Sequence, residues 1–386
     1  MKIILLIIAI MAFSANLPAP LFPIYQSHFN FNNFDITALF AIYTACMLPA
    51  LLISTSFVKR NGTKNVVRGG IILALISSLI FIFTVSPWML YLARAVEGAA
   101  LGLFMGTSNG LLLKHSSNSH KALALSSMAT LLGFGFGPMS CGLIGEYSKF
   151  KPYTLPYIVL FLLLLLALIL LFKIPNINES KDKKAPITFH LGIPKNSKTI
   201  FLSFVCPAVF VMLALNGVVI SLVPTYVHSI LKSTNLSYSG ILLFIFLGGG
   251  AVSQIIKSPK ARTTRVQLGL LLLLIGTWLM VLAGFLISMT LLFIGMIILA
   301  IGNGLTFQGT IQLAGSLASR DESAAVISTY YVAGYTGMAI PTIGIGLLST
   351  ILGLMSALII FGIIITVIGI ILIIIPKFQK KYQLNI

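Results

Sequence analysis

Twelve apolar stretches, each long enough to cross a bilayer as a helix, recur along this chain at roughly 3–25, 37–58, 67–86, 88–113, 122–145, 155–173, 199–227, 238–256, 266–287, 289–314, 323–350 and 354–376. That recurrence restricts the fold more than any other feature. Hydrocarbon offers no partner to a backbone N–H or C=O, so a spanning segment must satisfy these groups internally, and a helix does so within one stretch of chain. Composition agrees, with 58% of the 386 residues hydrophobic and 8% charged, outside the range of soluble domains. The expected fold class is an all-α membrane protein.

A formal net charge of +18 raises the question of a nucleic-acid partner, which the placement of the basic residues answers. With the N-terminus set on the cytoplasmic side, only Lys149, Lys151 and Lys232 of the 25 Lys and Arg residues fall outside, and Arg94 alone falls within the membrane. Cytoplasmic loops of multi-pass proteins carry such an excess. The basicity therefore marks topology and no nucleic acid is expected. Both termini are placed in the cytoplasm, the bilayer being a cell (plasma) membrane such as a bacterial inner membrane. Cys46, Cys141 and Cys206 lie in apolar stretches with neither metal-ligand nor disulfide spacing, so they read as small packing residues and no metal or cofactor is expected. The start, Met1-Lys2 followed by IILLIIAI, superficially resembles a secretion signal.

An internal repeat argues that this first segment is kept. Shifting the chain by about two hundred residues sets Asn16 with Pro23-Ile24-Tyr25 against Asn216 with Pro224-Thr225-Tyr226. LGLFMGTSNG (101–110) then meets IGNGLTFQGT (301–310), and Gly137-Pro138 has an echo in Pro341. Duplicated bundles of this kind build transporters. The halves are read as two six-helix bundles, residues 1–172 and 199–386. The longest polar stretch, 173–198, joins them as a cytoplasmic linker. Outer loops as short as Ser86 to Trp88 leave no room for a receptor or enzyme domain.

The fourth span contains LARAVEGAA, Leu92 to Ala100. A charge at the centre of a spanning helix costs about 2.5 to 3.5 kcal/mol on insertion scales, and this chain has only seven acids. Asp35, Glu146, Glu179, Asp182, Asp321 and Glu322 fall in loops or at the outer face, which leaves Glu97 as the one carboxylate at membrane depth. A spacing of three puts Glu97 beside Arg94 on one helical face, where each offsets part of the other's desolvation. Burial favours the neutral acid and Arg94 favours the carboxylate, a balance that would let Glu97 change protonation as its access to water changes. Proton coupling is one reading; a static ion pair orienting the fourth span against the first is the other. The repeat shift sets Ile294 and Ile297 opposite the pair, so its role belongs to the first bundle alone.

Gly98, Gly102 and Gly106 continue the fourth span at intervals of four, a spacing that lets a neighbouring backbone close in. The fifth span reads GFGFGPMSCG from Gly133 to Gly142; Pro138 removes a donor and the glycines thin one face, giving a bent, closely packed helix. Together these residues resemble the major facilitator superfamily over essentially the whole chain. Arg94 to Gly98 is similar to its fourth-helix motif R-x-x-Q-G, with Glu97 in the Gln slot. Gly133 to Gly142 is similar to G-x-x-x-G-P-x-x-G-G of its drug and proton antiporters, departing at Cys141. SANLPAPLFPIY, LPYIVL and YYVAGYTGMAIP also resemble bacterial efflux members. The resemblance implies twelve transmembrane helices in two six-helix bundles related by a pseudo-two-fold axis. It further implies proton coupling through Arg94, a rocking hinge at Gly137-Pro138, and export.

In the loop after the second span the superfamily usually has G-x-L-x-D-R-x-G-R-R. Here TSFVKRNGTK, Thr55 to Lys64, keeps Gly62 but puts Lys59 in the Asp slot. A lysine is unfavourable against a helix N-terminus, yet the eleventh span begins after Asp321 and Glu322. Two readings remain: a reversed cytoplasmic gate in which Lys59 or Arg60 pairs with Asp321 or Glu322, and solvated loop charges. A substrate cavity, as the resemblance implies it, would be lined by Asn16, Tyr43, Asn109, Asn216, Gln254, Gln308, Gln312, Tyr331 and Tyr335, each also readable as a packing residue. The set describes a pocket with few fixed charges, suited to small amphipathic molecules. The expected activity is secondary transport by alternating access, a proton-coupled export of such compounds by a monomer. The alternatives are an uptake symporter, an exporter of a metabolite or metallophore whose anionic group meets Arg94, and, from another class, a channel or membrane sensor. No hydrolase triad or phosphate-binding loop points to an enzyme.

Overall fold

The computed structural model describes residues 1–175, 182, 184, 186–187, 191–194, 197–255, 261–319 and 322–378, and every regular element among them is helical. The first span comprises α1 (Lys2–Ala15), a 3-10 turn (Ala19–Leu21) and α2 (Phe22–Phe29). It is followed by α3 (Asn33–Asn61), α4 (Thr63–Ile82), α5 (Pro87–Lys114), α6 (Ser119–Tyr147) and α7 (Leu155–Phe172). The seventh span comprises α8 (Lys198–Ile200), a π turn (Phe201–Val205) and α9 (Cys206–Ser229). Then come α10 (Leu236–Ile255), α11 (Arg262–Phe285), α12 (Met289–Leu317), α13 (Ser323–Leu352) and α14 (Leu354–Phe378). Among the described residues eleven of these spans are long and apolar enough to cross a membrane, and α10 adds a shorter apolar helix over Leu236–Gly250. The expectation of an all-α, multi-pass membrane protein is met.

Contacts divide the chain into two units. The first holds Met1–Asn30, Leu39–Phe189 and Asn235–Phe244; the second holds Phe31–Ala38, His190–Thr234 and Ile245–Ile386. Inside the first, α1 packs on α6 and α7, and α4 on α5 and α7. Inside the second, α9 packs on α13 and α14, and α11 on α12 and α14. These are corresponding partners under the internal repeat. Two short segments lie outside chain order. Gly240 at the start of α10 sits against Gly142 in the first unit, whose Glu146 carboxylate accepts the Leu236 N–H at 2.8 Å. In the second unit Thr37 packs on Gly346, and the Phe34 N–H donates to Thr350 Oγ1 at 3.2 Å.

Proline accounts for the interrupted spans. Pro18 and Pro20 have no N–H to give the carbonyls one helical turn back, and the chain tightens there: Leu17, Ala19 and Leu21 donate to Ser14, Asn16 and Pro18. The Ala15 carbonyl thereby loses its helical partner, Ala19. Pro207 likewise lacks the N–H that Ser203 would accept, and the π turn falls there. Gly62 (φ 83°) joins α3 to α4 and Gly353 (φ 85°) joins α13 to α14, each a one-residue connector in a region that side chains avoid.

Candidate functional site

The pair anticipated from spacing is present in α5. Arg94 Nη1 lies 2.7 Å from Glu97 Oε2, and each residue is only 2% exposed. Ion pairs so deep are stable only when their other polar groups also find partners. The orphaned Ala15 carbonyl accepts a second Nη1 bond at 3.2 Å, and the Leu39 carbonyl of α3 faces Nε at 3.4 Å. The guanidinium lies over the Tyr43 ring at 4.3 Å and near Phe40 at 5.9 Å, within reach of cation–π attraction. Arg94 thus ties α5 to α1 and α3, and Tyr43, expected in a substrate cavity, is a buried partner of Arg94.

The glycine ladder explains how α3 comes so close. A Cβ on Gly98 would collide with the Tyr43 carbonyl, one on Gly102 with the Met47 carbonyl, and one on Gly106 with Ser54 Oγ. The second glycine motif does the same for α1. A Cβ on Gly133 would lie 2.5 Å from the Ala9 oxygen, and one on Gly137 would strike the Phe13 carbonyl. Gly142 turns the other way, its Cβ position 2.7 Å from the Leu236 oxygen. α6 runs unbroken through Pro138, and Cys141 is fully buried, in keeping with a small packing residue.

A feature absent from the sequence reading lies in the same unit. Tyr25 of α2 and Tyr157 of α7 meet hydroxyl to hydroxyl in the core of the first unit. Tyr157 stacks on Phe81 at 4.6 Å, its ring 8° from parallel, and its carbonyl accepts the Ser78 hydroxyl at 3.0 Å. Residues 132 apart leave no local pattern to find; the signal available was two tyrosines at the same end of neighbouring apolar runs.

In the second unit the polar positions are arranged differently. Tyr331 and Tyr335 stack at 6.1 Å, as one turn of helix dictates, and Tyr330 meets Tyr331 edge-on at 5.5 Å while sharing a hydrogen bond of 3.0 Å with Thr310. Asn216 is buried, and among the described residues its Oδ1 has no hydrogen-bond partner, as is also true of Asn303, which sequence reasoning passed over. Gln312 is exposed and accepts Arg265 Nη1 at 3.1 Å. Gln308 is half-buried. In the first unit Asn16 is buried at the helix break, and Asn109 Oδ1 accepts the Ser126 hydroxyl at 2.6 Å. The Gln254 side chain and Asp321 lie outside the described residues. Of the other gate residues, Lys59 is exposed, Arg60 is half-buried, Gly62 caps α4, and Glu322 caps α13 with its N–H on the Ser319 carbonyl at 3.2 Å.

The repeat register also needs adjusting. Gly70 faces Ala100 and Phe104, and its counterpart Gly269 faces Gly302 and Thr306; α5 and α12 begin at Pro87 and Met289. Arg94 and Glu97 therefore correspond to Met296 and Leu299, both fully buried, whereas Ile294 and Ile297 are 46% and 48% exposed.

Residues 4–342 match the family model described as Major Facilitator Superfamily. None of the curated proteins compared with the chain matches it. Among solved structures it is similar to a POT family transporter in complex with thioalcohol conjugated peptide, at TM-score 0.80 and 14% identity over 98% of this chain and 96% of that one. It is similar to nucleoside transporter NupG at TM-score 0.78 and 14% identity over 96% and 98%. It is also similar to a bacterial homolog of the human lysosomal transporter Spinster, in an inward-facing and occupied conformation, at TM-score 0.74 and 14% identity over 97% and 96%. At such identities the likeness speaks for the fold.

Proposed function

This chain belongs to the Major Facilitator Superfamily, and on that premise we propose that it is a proton-coupled exporter of small amphipathic compounds. It is a multi-pass membrane transporter and not an enzyme. The observation that carries the finer reading is the Arg94–Glu97 pair: a lone acid at membrane depth, buried beside a base, in one unit only. An acid so placed can be neutral when its surroundings close and charged when water reaches it. Export is supported by the match of Gly133 to Gly142 to the antiporter motif, with Gly137-Pro138 as hinge between bundles 1–172 and 199–386. The like pairing of corresponding helices within each unit supports a duplicated bundle. An anion site at Arg94, as an uptake symporter or metallophore exporter would need, finds less support, because its guanidinium already engages Glu97, Ala15 and Tyr43. Tyr331, Tyr335, Asn216, Gln308 and Gln312 of the second unit, with Asn16, Asn109 and Gln254, are proposed to face the compound. We place the protein, as a monomer, in a plasma membrane with both termini cytoplasmic.

The test screens an overexpressing strain for compound resistance, then follows proton movement driven by the compound so found in proteoliposomes. Glu97→Gln is expected to abolish the compound-linked proton movement; undiminished movement refutes the coupling role. The cytoplasmic gate, Lys59 or Arg60 with Asp321 or Glu322, is tested in the same assay: Lys59→Asp should impair transport and Asp321→Lys should restore it, and a double variant as poor as the single one removes the gate.

A further inference from the structure

We propose that the second unit takes an uncharged aromatic compound with an amide-type edge, held between the Asn216 carboxamide and the Tyr331 and Tyr335 rings. The proposal names the substrate class of the compound-facing residues and rests on that reading of them. The helices that carry them, α9 and α13, are the seventh and eleventh spans and run in the same direction. A Cβ on Gly337 of α13 would lie 2.5 Å from the Phe210 oxygen of α9, and one on Gly217 of α9 would lie 2.5 Å from the Met338 oxygen. A Cβ on Gly334 would lie 2.6 Å from Leu213 Cδ1. Because a Cβ leans toward the N-terminus of its helix and a carbonyl toward the C-terminus, these contacts set Leu213 level with Gly337 and Gly217 level with Pro341. Asn216 then stands about 7 Å farther along the bundle than Tyr335. It comes one residue before the seam position Gly217, and Tyr335 comes one residue after the seam position Gly334. On parallel helices that face each other, a step of about 100° back on one and forward on the other opens on the same side. Tyr331, one turn before Tyr335, shares that side.

Asn216 is 8% exposed, and among the described residues its Oδ1 has no hydrogen-bond partner. A carboxamide left so is unfavourable until a ligand answers it, and it offers an acceptor beside two donors. The edge that answers both is an N–H next to a C=O, as in an amide or lactam. The Tyr331 and Tyr335 rings are 20° from parallel with centroids 6.1 Å apart. They form a strip one helical turn long against which a flat ring can lie. Tyr330, by contrast, is fully buried and shares its hydroxyl with Thr310 of α12. Neither α9, α12 nor α13 carries an Asp, Glu, Lys or Arg. A charged ligand would give up water there and gain no counter-ion from these helices.

The experiment titrates the protein in lipid nanodiscs with tritiated 2-naphthamide, empty nanodiscs serving as the blank. Three relatives compete: N,N-dimethyl-2-naphthamide, which loses the donor; decahydro-2-naphthamide, which loses the aromatic face; and the anion 2-naphthoate. Saturable binding of naphthamide is expected, weakened about tenfold or more by dimethylation, weakened also by saturation of the rings, and not displaced by naphthoate. Asn216→Leu should narrow the gap between naphthamide and its dimethyl relative, and Tyr335→Leu the gap between naphthamide and its decahydro relative. A residue that only supports the fold lowers all affinities together and leaves these ratios alone. No saturable binding, displacement by naphthoate, a dimethyl or decahydro relative as tight as naphthamide, or either gap unchanged in its folded variant overturns the proposal; the wild-type comparisons decide it even where a variant does not fold. If the ligands rank as expected but compound-linked proton movement is absent, the exporter reading fails and the site stands. If a compound from the resistance screen moves with protons and the ranking is not obtained, the substrate class alone fails.

Discussion

In the first unit α5 presents Arg94 and Glu97 to the core; in the second, α12 presents Met296 and Leu299 at the corresponding depth, both fully buried. The helices pair identically around the two positions. Met and Leu therefore suffice to pack this layer, and the fold by itself gives no reason for a charged pair that is costly to bury. The same contrast runs through the approach of the next helix: α5 meets α3 backbone to backbone along Gly98 and Gly102, while Gly250 of α10 has its nearest α12 oxygen, that of Ala300, 3.7 Å from the place of a Cβ.

The comparison can be broken most forcefully by removing one charge. Arg94→Met alone leaves Glu97 uncompensated and is expected to cost about 3 to 5 kcal/mol, read as a large fall in melting temperature in detergent. A variant as stable as wild type would mean that water already reaches the acid. Next in size is Gly102→Val, which drives a side chain into the Met47 carbonyl and should cost about 1 to 3 kcal/mol. Gly250→Ala should be neutral or gain a few tenths of a kcal/mol; equal losses in the two would show that the ladder has no special closeness. The smallest effect on stability is expected from the double change Arg94→Met with Glu97→Leu, which copies the second unit into the first. Replacing a buried pair by apolar side chains is often neutral or stabilising, so melting should be retained while compound-linked proton movement disappears. Retained proton movement would relocate the coupling group.

Much of this was legible in the chain. The apolar runs fixed the number and place of the spans, and a spacing of three on a helix was enough to join Arg94 to Glu97. The ladder of glycines announced a close neighbour, though not that α3 would fill it. Partners that depend on distant helices were not legible. Tyr43 read as a cavity residue because nothing local places an aromatic ring under a guanidinium one helix away, and the Tyr25–Tyr157 contact joins opposite ends of a unit. The repeat register slipped because the connections between helices differ in length in the two halves; only the paired glycines of α4 and α11 fix it.

The proline-induced gap in the first span has a consequence for the charge it serves. A carbonyl held in a regular helix has its lone pair engaged, and the chain makes one available at Ala15 by forbidding the turn that would use it. Mending that gap, for instance with Pro18→Ala and Pro20→Ala together, would hand the oxygen back to its own helix and strip the guanidinium of an anchor, altering Arg94 without touching any atom of α5.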